Sequence, residues 1–112
     1  MEALSFVYHP TFDHTVEGVL TDAQMIAVEN TLMADPRKGD VIQDTGGARK
    51  LRVALPGRGK SGGARLIYVS IEIGAAIHFL LCYPKNVQGN LSAKQKQTLR
   101  GIVMAIKQEY EA

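Results

Sequence analysis

The chain has 112 residues, of which 13 are lysine or arginine and 11 are aspartate or glutamate, and its formal charge is +2. This length suits one domain with a buried core, and the near balance of charge excludes a uniformly basic nucleic-acid protein. Its one cysteine, Cys82, cannot form an internal disulfide, no apolar run reaches the roughly 18 residues of a membrane span, and the first ten residues lack a basic leader. We therefore predict a single cytoplasmic domain over residues 1–112, with no membrane partner.

The N-terminal third predicts one strand and two helices. Residues 4–8 form a short apolar run closed by Pro10, which indicates a strand, and residues 11–20 indicate a short helix. Thr21 and Gln24 have the spacing of a capping box, which predicts the start of a second helix that Pro36 ends. Apolar residues then recur at helical spacing, at Met25, Val28, Leu32 and Met33.

The middle of the chain predicts three strands. Residues 49–55 alternate between apolar and polar side chains, so that Leu51 and Val53 face the core while Lys50 and Arg52 face away from it. The glycine-rich residues 56–63 predict a hairpin loop, and residues 64–71 and 75–83 predict two further strands.

A second capping box, Ser92 with Gln95, predicts a closing helix. Its apolar stripe consists of Leu99, Ile102, Val103, Ile106 and Tyr110, and Lys94, Lys96 and Arg100 are predicted to face water. The order β-α-α-β-β-β-α predicts an α+β domain, in which a small, mainly antiparallel sheet is accompanied by two N-terminal helices and one C-terminal helix.

Positive charge is concentrated between Arg49 and Arg65, where six basic residues occur and no acidic one. The six are Arg49, Lys50, Arg52, Arg58, Lys60 and Arg65. Because the remainder of the chain has no net excess of positive charge, this segment can present a local field to a polyanion, and a phosphate backbone is the leading candidate.

The segment from Pro36 to Asn86 resembles the HigB branch of the RelE toxins. The resemblance lies in three stretches, residues 39–53, 57–68 and 83–86, and is looser toward both ends of the chain. It implies the toxin of a bacterial toxin–antitoxin module, a ribosome-dependent endoribonuclease that cuts mRNA in the ribosomal A site. It also implies three partners: the 70S ribosome, mRNA, and a cognate antitoxin of the helix-turn-helix, HigA-like kind.

Attack of an RNA 2′-hydroxyl on the adjacent phosphate needs a proton acceptor, stabilisation of charge at phosphorus and a proton for the leaving oxygen. A crowded cationic site favours the neutral form of a lysine, whereas arginine stays charged, so lysine can carry protons while arginine holds phosphate. No cofactor is required.

The resemblance assigns roles to individual residues. Arg65 matches the arginine that clamps the scissile phosphate. Lys50 is a candidate base or electrostatic partner and Arg52 a phosphate ligand. Lys85 could assist the leaving group, and Tyr83 could stack on a base or orient the backbone. The RNA-binding set comprises Arg49, Arg58 and Lys60. RelE toxins also carry a tyrosine whose nearest equivalent here is Leu91, so stacking by that residue is not available.

Plainer interpretations stay open for these residues. Lys50 and Arg52 could be the solvated face of a half-covered strand, Arg65 could pair with Asp44 or Glu72, and Tyr83 could be a core residue. Two other functions also compete with the nuclease. One is a non-catalytic inhibitor similar to the ParE toxins, which poison gyrase, and the other is a plain RNA-binding module.

Two further patterns predict no function. Residues 54–61 pass a relaxed Walker A pattern, but a phosphate-binding loop must open into a helix, and a strand is predicted to follow instead. His78 and Cys82 are predicted to share one strand face too far apart to hold one metal ion, about 13 Å at the usual rise per residue. His9, Asp13 and His14 show no ligand spacing, so no metal site is predicted.

Overall fold

Five strands and three helices make up the fold. The computed structural model describes residues 4–55 and 63–111. The elements in chain order are β1 (Ser5–Tyr8), α1 (Pro10–Val16), α2 (Asp22–Ala34), β2 (Asp40–Val41), β3 (Arg49–Val53), β4 (Ala64–Ile71), β5 (Ala76–Pro84) and α3 (Ala93–Glu111).

Both predicted capping boxes are formed. The Thr21 hydroxyl accepts a hydrogen bond from the Gln24 backbone N–H at 3.1 Å, and the Gln24 side chain accepts one from the Thr21 N–H at 2.7 Å. Ser92 and Gln95 make the same reciprocal pair at 3.1 and 2.9 Å. These bonds satisfy N–H groups that a helix start leaves without partners, which is why α2 and α3 begin where the sequence predicts.

The first helix is shorter than predicted. It ends at Val16 rather than reaching residue 20, and Gly18 lies at φ 76°, a left-handed conformation that ends helices and that glycine adopts without steric cost. In α2, Val28 and Leu32 are buried as expected, but Met33 is 52% exposed. In α3, Leu99, Val103 and Ile106 are buried, whereas Ile102 lies at the edge of the stripe.

The five strands form one sheet in the order β1-β5-β4-β3-β2. All neighbouring pairs are antiparallel except β1 and β5, which are parallel. The predicted α+β class with a mainly antiparallel sheet is confirmed. The sequence did not predict β2, a strand of two residues, or the parallel pairing of β1, because neither has a local pattern.

The helices cover both faces of the sheet and create two cores. One core packs α1 and α2 against the sheet through Phe12, Leu32, Leu66, Tyr68 and Phe79. The other packs α3 against the opposite face through Ile67, Val69, Leu80, Leu99 and Val103. The sheet is therefore buried on both sides over most of its length, which explains the near-continuous apolar runs of β4 and β5.

A β-bulge in β5 corrects one prediction about the strand faces. Ile67 pairs with Leu81 and Tyr68 with Phe79, so Leu80 is an extra residue without a partner in β4. The extra residue reverses the alternation, so Cys82 joins the core beneath α1 and α2, whereas His78 hydrogen-bonds to Tyr110 of α3. The expectation that His78 and Cys82 share a face was wrong for this reason.

Within residues 4–55 and 63–111, no helix is long and apolar enough to cross a membrane. No group of three or more metal-ligating side chains occurs in the same part of the chain.

Candidate active site

Strand register aligns three of the predicted site residues in one row across the sheet. Arg52 of β3 is directly opposite Arg65 of β4, and Arg65 is directly opposite Tyr83 of β5. Directly opposed residues in antiparallel strands point to the same face, with neighbouring strands about 4.8 Å apart. We call Arg52, Arg65 and Tyr83 the site row.

Lys50 and Lys85 lie beside the site row. Lys50 is two residues before Arg52, and therefore on the same face about 7 Å along β3. Lys85 follows the end of β5, and its backbone N–H donates to the Gly63 carbonyl at 2.9 Å, next to the start of β4. Both side chains are half-buried. The structure thus brings Arg52, Arg65, Tyr83 and Lys85 to one end of β3, β4 and β5, and places Lys50 two residues farther along β3.

Arg65 is the most unusual member of the row because it is a charged residue that is only 5% exposed. Its guanidinium donates to the Ala64 carbonyl at 3.2 Å. Glu72, one suggested partner, instead forms an ion pair with Arg37, and no ion pair to Arg65 is found among the described residues. A buried guanidinium beside another arginine, without a carboxylate, is costly for the free protein and favourable for binding an anion.

Tyr83 is 7% exposed, and its hydroxyl is buried without a hydrogen-bond partner in the described part of the chain. Burial raises the pKa of Tyr83, and the positive charge of Arg65 offsets part of that rise. The hydroxyl is therefore protonated at neutral pH and can donate a hydrogen bond. Its ring packs in the same core as Leu91, which makes base stacking a poor role for either residue.

Arg49, one of the three residues predicted to bind RNA, does not belong to the site row. Arg49 is opposite Tyr68, on the other face of the sheet, and its guanidinium donates to the carbonyl oxygens of Gly39 and Arg37 at 2.8 and 3.2 Å. Those bonds hold the turn before β2, so its predicted contact with RNA stays a prediction. Arg58 and Lys60 lie outside the described residues.

Lys50 has one acidic neighbour that the sequence did not reveal. Asp40 of β2 is its directly opposed partner, although the two form no ion pair within 4.0 Å. The negative charge of Asp40 reduces the positive field near Lys50. Arg65 is farther from Asp40, and is therefore the centre of the candidate cationic site.

Two alternative chemistries find no support in the geometry. Where the described chain resumes after the Walker A-like residues, at Gly63, it enters strand β4 at Ala64, so no helix that could bind an anion begins in this described part. Burial raises the pKa of the Cys82 thiol to about 12, which keeps the thiol protonated and unreactive.

Gly63, just before the site row, lies where the backbones of β3 and β4 come close together. A Cβ atom at Gly63 would lie 2.6 Å from the carbonyl oxygen of Val53, so only glycine allows β3 and β4 to approach at this point.

We expect Gly63→Ala to lower the free energy of unfolding by about 1–3 kcal/mol, because β3 and β4 must separate to admit the methyl group. The shift would also misalign Arg52 and Arg65. Chemical denaturation measures the effect, with Gly101→Ala in α3 as the matched control. A Cβ at Gly101 meets no atom within 4 Å, so that variant should gain about 0.5–1 kcal/mol from helix propensity. Equal stability of Gly63→Ala and the parent protein would contradict the close-approach argument.

A mixed sheet covered by helices on both faces, with a nearly buried arginine at one end, defines an α+β domain with a candidate anion-binding site. A family model described as the RelE toxin of the RelE/RelB toxin–antitoxin system matches residues 12–111, and the chain belongs to this family. Among solved structures, the chain is similar to a double-arginine mutant of the E. coli toxin RelE in the free state. The identity is 12%, the TM-score is 0.52, and the match covers 78% of this chain and 88% of that one. That likeness supports the fold.

Proposed function

We propose that this toxin is a ribosome-dependent endoribonuclease of the HigB branch, which cleaves mRNA in the ribosomal A site. The observation that carries the proposal is the site row, in which the nearly buried Arg65 lies between the exposed Arg52 and Tyr83. Among the described residues, Arg65 has no carboxylate partner and the Tyr83 hydroxyl has no hydrogen-bond partner. Such a row has the charge and the hydrogen-bond donors to hold a phosphodiester.

The proposed mechanism begins with binding of the scissile phosphate. Arg65 and Arg52 donate hydrogen bonds to its two non-bridging oxygens, and the Tyr83 hydroxyl donates to one of the same oxygens. Lys50 accepts the proton of the attacking 2′-hydroxyl as that oxygen forms its bond to phosphorus. As the bond from phosphorus to the 5′-oxygen breaks, Lys85 protonates that oxygen, leaving a 2′,3′-cyclic phosphate and a 5′-hydroxyl. Arg65 stabilises the charge that develops at phosphorus.

Histidine does not contribute to this scheme. His78 is five residues before Tyr83 on β5, about 16 Å away, and His9 is hydrogen-bonded to it. Lysine is thus the available proton carrier near the row. The ribosome positions the substrate, as the resemblance of residues 36–86 implies. Arg58 and Lys60 make further contacts with RNA.

Inducing the toxin in cells without antitoxin should stop translation and leave transcripts cut within codons, with 5′-hydroxyl ends detectable by primer extension. Purified 70S ribosomes with a defined mRNA should reproduce the cuts, and naked mRNA should stay intact. Arrested replication with intact mRNA would overturn the proposal and favour the ParE-like inhibitor of gyrase. Growth at high expression would instead favour a plain RNA-binding module.

The toxin family implies a cognate antitoxin, and we propose a helix-turn-helix, HigA-like protein. A coding sequence of that type next to the toxin, whose product copurifies with this chain and restores growth, is the expected result.

A further inference from the structure

A chain of three hydrogen-bonded side chains lies at the end of the sheet away from the site row. His9 Nε2 is 2.9 Å from His78 Nδ1, and His78 Nε2 is 2.8 Å from the Tyr110 hydroxyl. These residues belong to three elements, because His9 caps the N-terminus of α1, His78 lies in β5 and Tyr110 lies in the last turn of α3. We call this set the histidine chain.

Packing holds the histidine chain in place. His78 is 4% exposed, and the Tyr110 ring meets its ring edge-on with centroids 5.7 Å apart. Gly74 lies against the other part of the Tyr110 ring, since a Cβ atom there would be 2.3 Å from Cε1 of Tyr110. The Tyr110 side chain therefore packs the last turn of α3 against β5 and the β4–β5 turn.

Few charged groups surround His78. His9 approaches from α1 and Glu109 from α3, while β4 contributes apolar Val69 opposite it. Near the outer side of Tyr110, a shallow cavity is lined by Glu72 of the β4–β5 turn and by Lys107 and Glu111 of α3. No carboxylate among the described residues forms an ion pair with either imidazole.

The hydrogen bond between His9 Nε2 and His78 Nδ1 can form only when one of these two nitrogens carries a proton and the other does not. With neutral rings or a single positive charge, one nitrogen donates and the other accepts. When both rings are protonated, two N–H groups face each other across the 2.9 Å contact and neither can accept. The two positive charges also repel, so the rings must separate. When the His78 ring moves away from His9, its hydrogen bond to Tyr110 is strained or lost.

We propose that the histidine chain is a pH-sensitive latch that holds the last turn of α3 against the sheet at neutral pH and releases it on acidification. The latch is independent of the proposed nuclease function, since none of its three residues belongs to the site row.

The direction of the pH effect follows from burial. Desolvation lowers the pKa of His78, the neighbouring His9 lowers it further, and Glu109 opposes both effects. The unfolded chain therefore binds the proton more readily than the folded one. Stability from this group is complete above its ordinary pKa of 6.5 and is lost as the pH falls below that value.

Amide hydrogen exchange of the full chain tests the latch. Between pH 7.5 and 5.5, exchange in residues 107–111, corrected for the intrinsic pH dependence, should accelerate by about tenfold or more. In Tyr110→Phe, which keeps the ring but loses the hydroxyl, exchange should be fast at both pH values. In His9→Gln, which keeps a polar partner but cannot become charged, the acceleration should be smaller than in the parent protein, because the repulsion from His9 is absent while the desolvation of His78 remains.

His14 supplies the matched control, because it is an exposed histidine of α1 outside the chain of hydrogen bonds. His14→Gln should retain the full pH response. The latch is overturned if protection of residues 107–111 does not change with pH in the parent protein. It is also overturned if Tyr110→Phe keeps the full response or if His14→Gln removes it.

Discussion

Replacing Arg65 with alanine is expected to reduce ribosome-dependent mRNA cleavage by about 100- to 1000-fold, the loss that follows removal of one preorganised donor to a transition-state charge. Arg65 is the only arginine of the site row that is nearly buried, so its positive charge acts in a low-dielectric environment. Arg65→Lys keeps a charge but loses the planar fork of donors, and its activity should fall between those of the parent protein and Arg65→Ala. Primer extension on a defined mRNA with purified ribosomes measures the rates.

The same substitution should leave the fold almost unaffected. Truncation removes the packing of the aliphatic part of Arg65, but it also removes the desolvation cost of an unpaired charge and the repulsion from Arg52 across the strand pair. Thermal unfolding checks this. Arg100→Ala, at an exposed position of α3, is the control and should retain cleavage. An Arg65→Ala protein that is folded and cleaves within about threefold of the parent rate would contradict the role given to Arg65.

Replacing Tyr83 with phenylalanine should change stability and activity in opposite directions. The lost hydroxyl is buried and has no partner in residues 4–55 and 63–111, so its removal should raise the free energy of unfolding by about 1 kcal/mol. Cleavage should fall by about 10- to 100-fold, because a hydrogen bond to a charged phosphate contributes about 1.5–3 kcal/mol. Denaturation and single-turnover cleavage measure the two effects.

Tyr68→Phe is the matched control for that prediction. The Tyr68 hydroxyl accepts from the Gly39 N–H and donates to the Pro36 carbonyl, both at 2.9 Å, so its removal leaves two backbone groups unpaired. We expect this variant to lose about 1–3 kcal/mol of stability while a folded sample keeps its cleavage rate. If Tyr83→Phe were destabilised as much as Tyr68→Phe, the Tyr83 hydroxyl would have a structural partner. That result would contradict its proposed role as a hydrogen-bond donor to the substrate.

The helix starts and most strands were predictable because their signals are local. The hydroxyl of Thr21 or Ser92 meets a backbone N–H three residues later whatever the remainder of the chain does, so each capping box marks a helix start on its own. Alternation in β3 likewise assigned Lys50 and Arg52 to one face, which the register of the sheet confirms. The two-residue β2 was not predictable, since its pairing with β3 decides its limits, whereas the end of α1 near Gly18 was missed although glycine is a local signal for a helix end.

By itself, the sequence determined the α+β class, the order of the elements other than β2 and the concentration of cations between Arg49 and Arg65. Only the tertiary structure decided that Arg52, Arg65 and Tyr83 form a row, that Arg49 lies on the opposite face, and that a bulge at Leu80 turns His78 toward Tyr110. The physical reason is that register depends on packing between residues far apart in the chain. A shift of one residue in a strand would move the side chains of that strand to the other face.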